Sequence, residues 1–132
     1  SVVGTNGKNS TISATFSILK EANIKCNVYT SPHILKINER FIFNNKELSD
    51  DELANLFEEV EKVNNNKPIT FFEILTASYF YKAAQYPNNI NLVESGLFFR
   101  FDATRSDRLC SRLLHLRFNV RAAIDTGRSP RH

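Results

Sequence analysis

The chain has 132 residues, 42% of them hydrophobic and 23% charged, with a net charge of +3; this is globular composition with room for one domain and one modest core, and it excludes a disordered chain. No apolar run approaches the roughly 20 residues of a membrane-spanning helix, and no basic segment followed by an apolar stretch marks a signal peptide. Cys26 and Cys110 stand far apart, which excludes a disulfide scaffold or zinc ribbon and fits a reducing compartment, with the cytoplasm expected and the mitochondrion left open.

In chain order, Val2-Val3 reads as the end of a buried strand, followed by the turn Gly4-Thr5-Asn6-Gly7-Lys8-Asn9-Ser10. Ile12, Phe16 and Leu19 then recur at helical spacing up to about Asn23. Residues Cys26 to Thr30 read as a short strand. Strand, glycine turn, helix and strand make a βαβ unit, which predicts a parallel sheet with a right-handed crossover. From Ser31 to about Leu48 the pattern predicts a long loop, broken only by a strand-like Arg40-Phe41-Ile42-Phe43 and an Asn44-Asn45 turn. Loops of this length in compact domains are usually functional or mobile. Ser49-Asp50-Asp51-Glu52 is a capping box that opens a helix with Leu53, Leu56, Phe57, Val60 and Val63 on one face. Asn64-Asn65-Asn66 and Pro68 end it. Thr70-Phe71-Phe72-Glu73 opens a second such helix, to about Tyr86, and Ile90 to Glu94 reads as another buried strand. The fold class expected is α/β with a parallel sheet.

The first turn carries the strongest chemical signal. Its two glycines let successive N–H groups converge at the positive end of a helix, and Lys8 adds a full charge suited to outer phosphates. A hydroxyl nearby, such as Ser10, suits Mg²⁺. The pattern G-x-x-G-K-x-S has two residues fewer between its glycines than a Walker A loop; the bland alternative is an ordinary βα turn with a solvated lysine. Glu94 ends an apolar strand, where open parallel sheets bind ligands, and a carboxylate there can hold Mg²⁺. Ser31-Pro32-His33 is expected on the same rim. Glu52 and Glu73 are better explained as helix caps than as catalysts. Arg100 and Asp102 are read either as a substrate clamp or as a pair with each other.

Taken together, the segments Val3 to Thr11, Tyr29-Thr30-Ser31-Pro32-His33-Ile34, Asn38-Glu39-Arg40, Ser49 to Glu52, Thr70 to Ala77, and Glu94-Ser95-Gly96-Leu97 through Arg100 to Thr104 resemble the folylpolyglutamate synthase/dihydrofolate synthase family, a branch of the Mur ligases. The resemblance covers about residues 2–104. It implies the first half of a Mur-ligase central domain, a three-layer parallel sheet of the P-loop type truncated at both ends, and an ATP-dependent ligase with ATP and Mg²⁺ as cofactors. In such a ligase a folate or dihydropteroate carboxylate is phosphorylated, and the amine of L-glutamate attacks the acyl phosphate. By position, Thr5, Asn6, Gly7, Lys8 and Ser10 would cradle ATP. Ser31 and Glu94 would hold the metal. Thr70, Phe71, Phe101, Asp102 and Ala103 would line the pterin side, with the loop from Ser31 onward near the folate. No catalytic residue is assigned. The parent is expected to be monomeric, with neither nucleic acid nor membrane as partner. The other reading is a non-catalytic nucleotide-binding fragment or a degenerate paralogue.

Four departures stand against the family pattern. Asn9 replaces a glycine after the lysine, Phe98-Phe99 replaces a glycine pair, Arg105 replaces an Asn, and Arg121 falls where a metal-binding His is expected. The vocabulary also changes. Residues 1–104 hold eight lysines and two arginines against 12 acidic residues; residues 105–132 hold seven arginines, no lysine and two aspartates. Residues 105–132 are therefore expected to be of separate origin, through a frame error or chimeric junction. A basic nucleic-acid-binding tail lacks the aromatic interleaving that such a reading needs. Methionine is absent, so the sequence is expected to be a piece of something longer.

Overall fold

The computed structural model describes residues 1–4, 6–65 and 67–95. Helix α1 spans Lys8–Glu21, strand β1 Cys26–Tyr29, and a short 3-10 turn Ile37–Arg40 leads into β2, Phe41–Phe43. After β3, Lys46–Glu47, come α2, Asp50–Asn64, α3, Phe71–Ala83, and β4, Ile90–Val93.

The sheet order is β3-β2-β1-β4, and Val2 adds a parallel bridge to Glu94 on the far side of β4. β1 and β4 pair in parallel, with Tyr29 opposite Val93. The expected parallel arrangement thus holds for the Val2 strand end, β4 and β1. The stretch read as mostly loop contributes an antiparallel addition: β2 pairs with β1, and β3 with β2. The cause is local. Asn44 and Asn45 adopt φ of 54° and 67°, the left-handed conformation of a tight two-residue hairpin turn, which asparagine tolerates. Asn45 Oδ1 accepts the Cys26 N–H at 2.7 Å, seating the turn on the start of β1.

Side chains alternate across the strands. Tyr29, Phe41, Phe43 and Val93 join Leu53, Leu56, Val60, Leu75 and Tyr79 in one core between sheet and helices. Tyr79 stacks on Tyr29 at 5.1 Å and on Phe43 at 5.5 Å between ring centroids. Burial pushes its phenol well above the ordinary value, so the hydroxyl stays protonated and donates to Asn91 at 3.1 Å. Ile12 of α1, Cys26 and Val28 are buried on the other side, where α1 packs on β1 and β4. This gives the three layers: α1, the sheet, and α3 with α2. Among the described residues no helix is long and apolar enough to cross a membrane.

Helix α3 is held by both ends of its inner face. Thr76 meets the Tyr29 hydroxyl at the carboxyl end of β1, while Tyr79 reaches Asn91 near the amino end of β4. α3 therefore runs antiparallel to β1 and β4, with its N-terminus toward the rim where those strands end.

Candidate functional site

Three chain segments leave the sheet at one rim. Val2 N–H donates to the Val93 carbonyl at 2.8 Å, Ser95 N–H to the Val2 carbonyl at 3.0 Å, and Glu94 N–H to the Tyr29 carbonyl at 2.8 Å. Glu94 thus lies on the middle strand end, between the strand that opens into the glycine turn and the one that opens into Ser31. That is the crevice outside the carboxyl ends of parallel strands, where such sheets bind ligands.

The glycine turn is shaped by backbone needs. Gly4 has φ of 151° and Gly7 has φ of 75°, regions that side chains disfavour. Space is open above Gly7: an added Cβ would meet nothing within 4 Å. Gly7 is also the N-cap of α1, so no side chain accepts the first-turn N–H groups, and that turn holds no acidic residue. Lys8 sits at the first helical position, where the positive end of the helix dipole opposes a cation. Its Nζ donates to the Gly4 carbonyl at 2.8 Å, folding back over the turn. Asn9 Oδ1 accepts from Ser13 Oγ at 3.2 Å, so the side chain lies along the helix toward its C-terminus rather than over the turn.

Glu94 is 5% exposed, and its Oε2 accepts the Ser31 N–H at 2.9 Å. Among the described residues no cationic side chain pairs with it. A carboxylate at this rim, free of a cationic partner, is chemically suited to a cation. No cluster of three His, Cys, Asp or Glu side chains stands among the described residues. A donor set of one carboxylate and one serine suits Mg²⁺, which keeps waters and phosphate oxygens for most of its six positions.

The structure thus brings Asn6, Gly7, Lys8 and Ser10 to one turn, and Ser31 and Glu94 to one hydrogen bond. Thr70 is the N-cap of α3. Its hydroxyl accepts the Glu73 N–H, and the Glu73 carboxylate accepts from Thr70 N–H and Oγ1 at 3.0 and 2.8 Å. Phe71 beside it is 64% exposed. Thr5, Phe98-Phe99, Arg100, Phe101, Asp102, Ala103, Arg105 and Arg121 lie outside the described residues.

Sequence reasoning passed over Glu39. Its carboxylate accepts three successive backbone N–H groups, from Ile34, Leu35 and Lys36, at 2.8, 3.0 and 2.9 Å. The Ile34 N–H above all, then those of Lys36 and Leu35, hold this carboxyl below its ordinary value. Arg40 Nε donates to His33 Nδ1 at 2.9 Å. The only sequence signal was the Asn38-Glu39-Arg40 segment itself, four to six residues after Ile34.

No family model matches the chain. The dihydrofolate synthase/folylpolyglutamate synthase of Escherichia coli is 37% identical over 105 residues, covering 78% of this chain and 24% of that protein. The solved structure of E. coli FolC in complex with DHPP and ADP superposes with a TM-score of 0.71 at 35% identity, over 77% of this chain and 25% of that one. Over those residues the chain is similar to the dihydrofolate synthase/folylpolyglutamate synthase family. Another member, the bifunctional enzyme of Yersinia pestis complexed with AMPPNP and Mn ion, gives a TM-score of 0.68 at 36% identity, over 77% of this chain and 25% of that one. The chain spans about a quarter of the length of these relatives, and the family α/β architecture is the one described above.

Proposed function

We propose that this chain is the nucleotide-binding part of an ATP-dependent ligase that joins L-glutamate to a folate or dihydropteroate through an acyl phosphate. The observation that carries the reading is the shared rim: an uncapped helix N-terminus with Lys8, next to a buried Glu94 bonded to the Ser31 backbone. A carboxylate is a poor acyl donor at neutral pH, and phosphorylation gives it a leaving group. The work left to the protein is positioning and charge neutralisation. The first-turn amides of α1, with Thr5, Asn6, Gly7 and Ser10, bind the ATP phosphates. Lys8 exchanges its bond to the Gly4 carbonyl for a phosphate oxygen. Ser31 and Glu94 would hold Mg²⁺, which would supply neutralising charge to the phosphates. Phe71 offers an exposed ring for a pterin, with Thr70 fixing the helix start beneath it; Phe101, Asp102 and Ala103 complete that side. Residues 1–104 form the partial ATP-binding domain, and residues 105–132 are of separate origin; a family-like continuation recovered from another reading frame of the coding DNA would establish a frame error. The working compartment is the cytoplasm, with small molecules rather than nucleic acid or membrane as partners, and the parent enzyme is a monomer.

The 132 residues alone are proposed to bind nucleotide without transferring glutamate, because they match only about a quarter of the relatives' length. ATP binding with Mg²⁺ tests the reading. Lys8→Ala is expected to weaken it by about 10- to 100-fold, the worth of a charge-assisted hydrogen bond. Unchanged affinity would overturn the phosphate loop, and ATP-dependent glutamate incorporation by this chain alone would overturn its proposed incompleteness.

A further inference from the structure

We propose that Glu39 is the positioning residue of the metal-side loop: by gathering the Ile34, Leu35 and Lys36 amides it fixes where Ser31 stands against Glu94. The inference rests on the Ser31–Glu94 reading above and extends it to a residue that touches neither nucleotide nor metal there. Both flanks of Ser31-Pro32-His33 are tied to the same two residues. Upstream, the Thr30 N–H donates to the Arg40 carbonyl at 3.3 Å, and Thr30 Oγ1 to the Glu39 carbonyl at 3.4 Å. Downstream, Arg40 Nε holds His33, and the Glu39 carboxylate holds the three residues that follow it.

The arrangement is not a by-product of burial. Ile34 and Leu35 are each 87% exposed, so no apolar contact holds their backbone in place. The loop's shape rests on hydrogen bonds, and those to the ionised Glu39 are the strong ones. A carboxylate that collects three consecutive amides leaves the backbone little freedom, much as an anion bound in a backbone nest does. Partners that orient a metal ligand from outside the coordination sphere typically change metal affinity by about 10- to 100-fold when removed.

The experiment measures ATP affinity of the full chain in Mg²⁺ and in EDTA, together with amide hydrogen exchange, for the wild type, Glu39→Gln, Glu39→Asp and Lys8→Ala. Glu39→Gln is expected to lose about tenfold of the metal-dependent gain and to leave affinity in EDTA unchanged. The amides of Ile34, Leu35 and Lys36 should exchange faster, while those of Val28 and Tyr29 in β1 keep their protection. Glu39→Asp should recover part of both effects. A metal-dependent gain that survives in Glu39→Gln, with the three amides released, overturns the proposal and leaves the site reading standing. Equal loss in Mg²⁺ and EDTA also overturns it. A wild type with no metal-dependent gain, matched by Lys8→Ala, overturns the site reading and the proposal together.

Discussion

At the start of α3, Thr70 and Glu73 exchange hydrogen bonds in a capping box, and Ser49 and Glu52 do the same at the start of α2. At the start of α1 stands Gly7, with no side-chain cap, no acid in the first turn and a lysine at the first position. The contrast continues along the helices. α3 buries Leu75, Thr76, Ser78, Tyr79 and Ala83, whereas α1 buries Ile12 alone. Two helices satisfy their own N-termini and are spent on packing. The third leaves its N-terminal amides and a cation available, a local cost in stability that an anionic ligand would offset. The difference singles out the start of α1 as the helix end suited to an anionic ligand.

Core truncation separates the two helices most. Leu75→Ala in α3 should destabilise the protein by about 2–5 kcal/mol, while Ile18→Ala on α1, at a site 69% exposed, should change stability by no more than about 0.5 kcal/mol. Urea unfolding of both variants checks this; equal losses would erase the division of labour. Next comes Lys8→Ala, whose expected loss in ATP binding should leave the urea midpoint in place, unlike any core change. Thr70→Ala should do the reverse, costing about 1 kcal/mol of stability and leaving ATP affinity unaltered. The smallest effect is pH-dependent. The Ser49 backbone N–H, then its hydroxyl, hold the Glu52 carboxyl below its ordinary value of 4.5. Its contribution is therefore full above about pH 4.5 and is lost as pH falls through the lowered folded value. Thermal unfolding followed from about pH 7 to about pH 3 should show this acid-side loss, reduced in Glu52→Gln.

Local chemistry made much of this legible in the sequence. Both capping boxes, the Asn44-Asn45 turn and the glycine turn each declare themselves within four to seven residues. So do the buried positions Leu53, Leu56 and Val60 at helical spacing. Pairing partners do not. Nothing near Phe41 says that β2 lies antiparallel beside β1, because register is decided by a strand twelve residues away. Asn27 is a polar residue inside the strand read from Cys26 to Thr30. In the structure its Nδ2 donates to Asn91 Oδ1, and its Oδ1 accepts from Asn89 Nδ2 and from the Asn44 backbone, a network assembled from three separate segments. Glu39 was hidden for a related reason. Its three partners are backbone amides, which carry no residue-specific signature. Ser31 and Glu94 were nameable as rim residues, but their 2.9 Å contact needed β1 and β4 in parallel register.

The central claim is that the glycine turn, Ser31 and Glu94 serve one bound nucleotide and its metal. The direct measurement is paramagnetic broadening of backbone amide resonances by Mn²⁺ added with ATP. Gly7, Ser31 and Glu94 should broaden together, with Asn64 and Lys67 unaffected, and Glu94→Gln should abolish the broadening at the same Mn²⁺ concentration. Broadening of Gly7 without Ser31 and Glu94, or broadening that persists in Glu94→Gln, would contradict it.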